Sequence, residues 1–401
     1  MNKSHAPLNL NEPTRRLRVL VLSEVSPAAL FHGTGLRAHH LLRFLEKVHE
    51  IELICAQDYP VLHPASTWSG RLRSLFDFKR PFGFRPDLAN AIEQKLLAAR
   101  FDVILLFGAE MLQYLTNDGP PVVADLVDEP FRAALRGLNM APGISAMRSL
   151  KRCLSLVAYE RHWCRRTDTC VVVSDVDARS LSHLASGIRV MALPNGVDTS
   201  FFRPGMEEAR LGEILFFGNM AFPPNVAAAV YFARKIFPLI RAVCPEAHWT
   251  VAGSNPHPDV QALTDLPGIE VTGSVPDLRP YIERASVIVS PMISGGGIKN
   301  KILEAWAMRK GIVATPSGCA GVDARDGVNL YIARQPRIFA EKTIRLLRCP
   351  QEAAAFGRAG QEMVQARYSW EEKAAALSQL LLTIATGKTR SESTRAAGAA
   401  D

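Results

Sequence analysis

Short runs of consecutive apolar residues punctuate this chain, and between them the apolar positions recur with helical spacing. Arg18–Ser23 (RVLVLS), Glu50–Cys55, Asp102–Phe107, Val122–Val127, Thr169–Val173 and Ile188–Leu193 form one series of runs. Glu213–Phe217 (EILFF), His248–Ala252, Ile269–Thr272, Ala285–Val289 and Gly311–Ala314 form a second. Runs this short, without polar alternation, predict strands buried on both faces, as in parallel sheets. Helices are predicted between them: about Leu36–Lys47, Met147–Arg166, Asn225–Arg241 and Leu278–Arg284, one carrying Ile298, Ile302, Leu303 and Trp306, and more to about Ala366. A last helix runs from Ser369, as N-cap, to about Ile384. Two alternating series predict an α/β fold of two Rossmann-like parallel-sheet domains facing a cleft.

The turn and linker Pro194–Gly205 divide the two series. The predicted organisation is a loose N-terminus over 1–16, a first domain over 17–203, a second over 204–368, a crossover helix over 369–386 and a disordered tail over 387–401. A length of 401 residues suits this division, since single cores rarely grow beyond about 250–300 residues. No apolar run approaches the ~18 residues that span a bilayer, and Met1–Arg16 lacks the apolar segment of a signal peptide, so a soluble, cytoplasmic protein is expected. The seven cysteines are scattered without a Cys-x-x-Cys pair, which argues for core thiols over disulfides or zinc. A net charge of +8 suits nucleic acid, anionic lipid or phosphorylated substrates, and does not choose among them.

Candidate chemistry concentrates in Ser290–Thr315 (SPMISGGGIKNKILEAWAMRKGIVAT), where Gly295, Gly296 and Gly297 join a buried strand to a helix. That junction leaves the N–H groups of Gly296, Gly297 and Ile298 without intrahelical partners and predicts an anion site. Lys299 and Lys301 add cations, and Glu304 follows one turn later. Two cations and a carboxylate suit a nucleoside diphosphate, its phosphates on the lysines and its ribose hydroxyls on the glutamate. The plainer reading is a tight turn with solvated lysines.

A second glycine-led helix start, Gly33-Thr34-Gly35 with Arg37 just inside the helix, is a candidate to face the phosphates from the first domain. Its loop is too long for a good dinucleotide fingerprint, which disfavours an NAD oxidoreductase. Glu110, Asp125, Asp128 and Glu129 gather at strand carboxyl ends, where they are candidate catalytic or acceptor-side groups or simply helix caps. Asp175-Val176-Asp177 matches a metal-binding pattern but sits where a helix N-cap is expected, and the cap is favoured. Trp68–Arg85 interleaves basic and aromatic residues. This pattern suits an anionic membrane surface or lipid-linked acceptor, or a packed lid with solvated arginines, better than single-stranded nucleic acid.

LPNGVDTSFFRP (193–204), ILFFGNM followed by PPN, GSVPDLRPYIERASVIVSP (273–291), GGGIKNKILEAWAMRKGIVAT and the final YSWEEK, taken in order, resemble the group-1 glycosyltransferases, retaining enzymes of the GT-B architecture. FFGNMAFPPN, VPDLRPYI and IKNKILEAWAM look most like the branch associated with PEP-CTERM exopolysaccharide loci. The resemblance implies a sugar transferase using a nucleotide-sugar donor and a glycan or lipid-linked acceptor, without cofactor, metal or nucleic acid, and is compatible with a peripheral place on the inner membrane face. It implies that Glu304 is the second glutamate of the family's Glu-x7-Glu motif and holds the ribose. The first glutamate's place is taken by Gly296. Gly218 matches the glycine of the first strand of the second domain, but Asn219 stands where an arginine is expected. Lys299 and Lys301 are inferred to replace the missing phosphate contacts, with the backbone around Val275 bordering the base; the family's first-domain catalytic histidine is not recognisable, and Glu110 stands near its place. A sugar-nucleotide epimerase and a non-catalytic nucleotide-sugar-binding regulator are the alternatives.

Overall fold

The computed structural model describes residues 15–28, 33–60, 82–116, 118–127, 131, 135, 144–207, 209–295 and 297–387. The chain forms two compact units: Met1–Pro194 with Glu371–Asp401, and Asn195–Trp370. The first holds six parallel strands, β1 (Arg18–Ser23), β2 (Glu50–Cys55), β3 (Val103–Phe107), β4 (Val122–Val127), β5 (Thr169–Val172) and β6 (Val190–Ala192), in the order β2-β1-β3-β4-β5-β6. β3, β4 and β5 are buried along their whole length. That is why their sequences are unbroken apolar runs, apart from buried Asp125 and Thr169.

The last helix, Trp370–Ala385, buries Leu377 and Leu381, and Ser378 Oγ lies 2.8 Å from His49 Nε2 of the first unit. The chain therefore closes on the domain where it began. The tail from residue 388 lies outside the described residues.

The second unit repeats the architecture with β7 (Glu213–Phe217), β8 (His248–Ala252), β9 (Ile269–Gly273), β10 (Val287–Ser290), β11 (Ile312–Ala314) and β12 (Tyr331–Ile332), ordered β12-β11-β10-β7-β8-β9. This is the doubly wound order of mononucleotide-binding sheets. Its core packs Phe232 on Trp249 at 4.6 Å and edge-on to Phe339 at 5.9 Å. The single helix expected over Asn225–Arg241 begins earlier, at Pro223, and widens into a π turn over Phe232–Ile236 before Phe237–Arg241. Pro238 has no N–H to give to the preceding turn, and the wider turn accommodates it. All seven cysteines are free thiols and six are buried, as core thiols should be.

Candidate functional site

In a doubly wound sheet the crevice for ligands lies at the carboxyl ends of the two strands where the winding reverses. In the second unit these are β7 and β10. Gly218 leaves β7 with φ +146°, a conformation that favours glycine. A Cβ there would crowd Asn225 Nδ2 at 3.1 Å and meet Lys301 Nζ at an ordinary 3.6 Å, so glycine gives the strand end its close approach to the Asn225 amide.

From β10 the chain passes through Gly295 and Gly297, both at positive φ, into the helix Asn300–Ala307. The helix starts later than the sequence suggested. Its N-cap is Lys299, and Ile302 N–H donates to Lys299 O at 2.9 Å, so the positive end of the helix lies at Lys299 rather than at Gly297 and Ile298. Ile298 instead packs against the core around Trp306. Gly296 lies outside the described residues.

Lys301 Nζ donates to Asn225 Oδ1 at 2.9 Å, stands 4.2 Å from the centroid of the Phe216 ring and lies 3.8 Å from Met292 Sδ. Lys299 is nearly buried, its Nζ donating to Gly297 O at 3.4 Å. Burial pushes the Lys301 ammonium down to about 7; Lys299 adds repulsion, and Glu304 pulls the other way. Burial likewise pushes Glu304 up to about 7 against the attraction of Lys301. Lys299, Lys301 and Glu304, which the sequence grouped, are thus one electrostatic unit in the fold.

Asn219 is exposed and spends its groups locally, Oδ1 accepting from Ala221 N–H at 3.0 Å and its carbonyl from Asn225 Nδ2 at 2.8 Å. Val275 follows β9, the sheet's edge strand, three places from β10.

In the first unit the reversal lies between β1 and β3. Gly33-Thr34-Gly35 forms the first turn of the helix Gly33–Val48 itself, not a loop before it. Thr34 Oγ1 donates to Glu24 Oε1 at 3.0 Å. Gly108, at φ +92°, lies so close to Glu24 that a Cβ would collide with the carboxylate.

Arg37, expected at the phosphates, is wholly buried, and its Nε donates to Asp125 Oδ2 at 2.8 Å. Asp125 is equally buried and also accepts from Val127 N–H at 3.1 Å. These two are a core ion pair, so Asp125 is neither a cap nor a surface acid. Asp128 and Glu129 lie outside the described residues.

Glu110 follows β3, with Oε1 3.2 Å from Arg85 Nη2. Burial raises its pKa; Arg85 opposes this and Glu24 adds to it. The Asp175–Asp177 pattern lies in the first turn of a helix as its position suggested, but neither aspartate is the N-cap: that is Ser174, whose Oγ accepts from Asp177 N–H at 3.1 Å and whose hydroxyl donates to Asp177 Oδ2 at 2.6 Å. Among the described residues no group of three or more His, Cys, Asp and Glu could hold a metal ion.

Of the basic and aromatic stretch, residues 68–81 lie outside the described residues. Its end turns inward: Phe82 meets Tyr159 edge-on at 5.1 Å, Phe84 stacks on Tyr114 at 5.2 Å, and Arg85 reaches the Ala56 carbonyl as well as Glu110. Among the described residues no helix is long and apolar enough to cross a membrane. Sequence reasoning missed Asn225, Phe216, Glu24 and Arg85 as site residues. Asn225 stood within PPN, Phe216 within ILFFGNM and Arg85 at the end of the basic and aromatic stretch, all already singled out, whereas Glu24 stood in none of them.

Residues 212–349 match the family model described as "Glycosyl transferases group 1". An "Uncharacterized 44.6 kDa protein in cps region" of Klebsiella pneumoniae is 27% identical over 139 residues, 33% of this chain and 36% of that protein. The match thus spans about a third of the curated relative's length. Sucrose-phosphate synthase from Thermosynechococcus elongatus superposes with a TM-score of 0.68 at 16% identity, covering 91% of this chain and 98% of that one. Alr3699/HepE of Anabaena, solved with UDP and glucose, gives 0.62 at 12% identity, covering 91% and 99%. TarM gives 0.58 at 13% identity over 75% of this chain and 59% of its own. These likenesses are of fold, and the fold they share is the two-domain GT-B architecture.

Proposed function

We propose that this protein is a glycosyltransferase that moves a sugar from a nucleoside-diphosphate donor onto a polysaccharide or lipid-linked glycan precursor, with retention and with lysines in the charge-stabilising role. The observation that carries this reading is Lys301, a cation aimed at the reversal point of a mononucleotide-type sheet and held by Asn225 and the Phe216 ring. The family match over 212–349 covers that same sheet. Breaking the bond between the anomeric carbon and the β-phosphate oxygen leaves negative charge on the diphosphate. Lys299 and Lys301 stabilise it as it develops. The acceptor hydroxyl forms the new bond to the anomeric carbon, and its proton passes to the departing phosphate. Glu304 accepts from the ribose hydroxyls through its carboxyl oxygens.

A lipid-linked acceptor at an anionic membrane face is supported by the helix Ile144–Trp163. Leu150 and Leu154 are 50% and 57% exposed there, and exposed Lys151 and Arg161 flank them on the same side of the helix. Apolar and cationic groups on one helix face suit a headgroup layer. The FFGNMAFPPN and IKNKILEAWAM motifs favour an exopolysaccharide product.

The test is calorimetric titration with UDP, GDP, ADP and TDP and their sugar conjugates, followed by product analysis with an acceptor extract. Binding of one nucleoside diphosphate, weakened by Glu304→Gln, with sugar transferred to a glycan, is expected. Conversion of the donor without acceptor would make the protein an epimerase. Tight binding with no transfer to any acceptor would make it a regulator.

A further inference from the structure

The cation that carries the proposed donor site is itself positioned by a residue from a different strand end. Asn225 is 7% exposed, on the first turn of the helix Pro223–Tyr231. Its two amide groups point in opposite functional directions. Nδ2 donates to the Asn219 carbonyl at 2.8 Å and so fixes the turn that leaves β7, while Oδ1 accepts from Lys301 Nζ at 2.9 Å. The Phe216 ring lies 4.2 Å from the same ammonium. Lys301 therefore has its cationic end located by two neutral groups, which stabilise a charge without cancelling it.

Chemistry favours an amide at this place. A carboxylate would neutralise the lysine and compete with a phosphate for it, whereas an alanine would leave the ammonium dehydrated and unlocated. Reversing the amide would remove both bonds at once, since carbonyl would face carbonyl and donor would face donor. Gly218 at φ +146° is the accompanying requirement, because any side chain there would press on the Asn225 amide from 3.1 Å.

We propose that Asn225 is a positioning residue for diphosphate recognition: it locks the turn after β7 and holds Lys301 charged and aimed at the ligand. This rests on the donor site assigned above. The charged groups facing the ammonium are Lys299, which disfavours its charge, and Glu304, which favours it. Asn225 supplies the uncharged acceptor.

The test compares wild type, Asn225→Ala, Asn225→Asp, Lys301→Ala and the double variant Asn225→Ala/Lys301→Ala. Calorimetric titration with UDP and GDP is run from pH 6 to pH 9, with uridine and guanosine as phosphate-free controls. Diphosphate affinity should fall about tenfold in Asn225→Ala, nucleoside affinity should hold, and the loss should vanish in the Lys301→Ala background. The pH profile separates positioning from mere packing. Binding needs the ammonium charged, so affinity declines as pH rises through the Lys301 pKa. Asn225→Ala should move that decline to lower pH and Asn225→Asp to higher pH, while a structural role would move both variants alike or neither. Equal losses of Asn225→Ala in the wild-type and Lys301→Ala backgrounds would overturn the proposal while leaving the donor site standing. Absence of any nucleoside diphosphate binding by the wild type would overturn the donor site and this inference with it.

Discussion

The two sheets present the same device with opposite outcomes. In each, a glycine-led helix starts at the point where the winding reverses and carries a cation near its first turn, Arg37 in the first unit and Lys301 in the second. Arg37 is taken by a carboxylate, Asp125, with both side chains wholly buried. Lys301 is taken by an amide oxygen and an aromatic face. A carboxylate partner consumes a cation's charge, whereas neutral partners leave it for a ligand. The surroundings differ in the same sense, since Glu24, Glu110 and Arg85 gather at the first reversal point and Lys299 stands beside Lys301 at the second. On the proposed reading, the cation after the glycines serves a ligand where the fold gives it an uncharged seat.

The largest expected effect tests the structural half of this contrast. Arg37→Ala should cost about 3–5 kcal/mol of folding stability, because it strands the Asp125 carboxylate in the core. Chemical denaturation reads this directly. A stable Arg37→Ala variant that had lost nucleotide binding would erase the distinction between the two cations.

Next in size, Lys299→Ala and Lys301→Ala should each lower turnover by about 10²-fold, the usual loss of one preorganised charge-stabilising donor. Steady-state kinetics on the transfer reaction would show it, and near-normal turnover in both variants would remove the phosphate assignment.

The smallest effect concerns stability and pH. Lys301→Met should stabilise the ligand-free protein by about 1–3 kcal/mol at neutral pH, since a dehydrated ammonium is costly to the fold. The sign follows from proton counts. Between about 7 and the ordinary lysine value of 10.5 the unfolded chain holds a proton on Lys301 that the folded chain does not, so wild-type stability from this group rises with pH there. The advantage of Lys301→Met should accordingly be full at and below about pH 7 and shrink through that window. Glu304 acts inversely: the folded chain holds its proton between the ordinary value of 4.5 and about 7, so its contribution falls as pH rises there. Melting curves of wild type and variant across pH would sharpen the comparison, and a constant difference at all pH values would contradict the dehydrated lysine.

Local chemistry was enough to define the strands, because buried parallel strands must be apolar on both faces and so appear as runs. It also located the GGGIKNK junction and the final helix, and it placed the Asp175–Asp177 pattern at a helix start, although the cap there is Ser174. It failed where structure depends on partners distant in sequence or on a few residues only. β12 is two residues long and has no pattern to find. The π turn ahead of Pro238 preserves the apolar periodicity on either side of it and so reads as one helix.

The site divides in the same way. Lys299, Lys301 and Glu304 are neighbours on one helix start, so their grouping is local and legible. Arg37 meets Asp125 across 88 positions, and Lys301 meets Asn225 across 76. Nothing in the spacing of residues distinguishes a cation that will find a carboxylate from one that will find an amide. The amino-acid order by itself determined where glycines, cations and apolar runs occur, through backbone freedom and burial. Only the tertiary structure decided which cation is paired with a carboxylate and which with neutral groups, because that depends on the partner that folding brings to it.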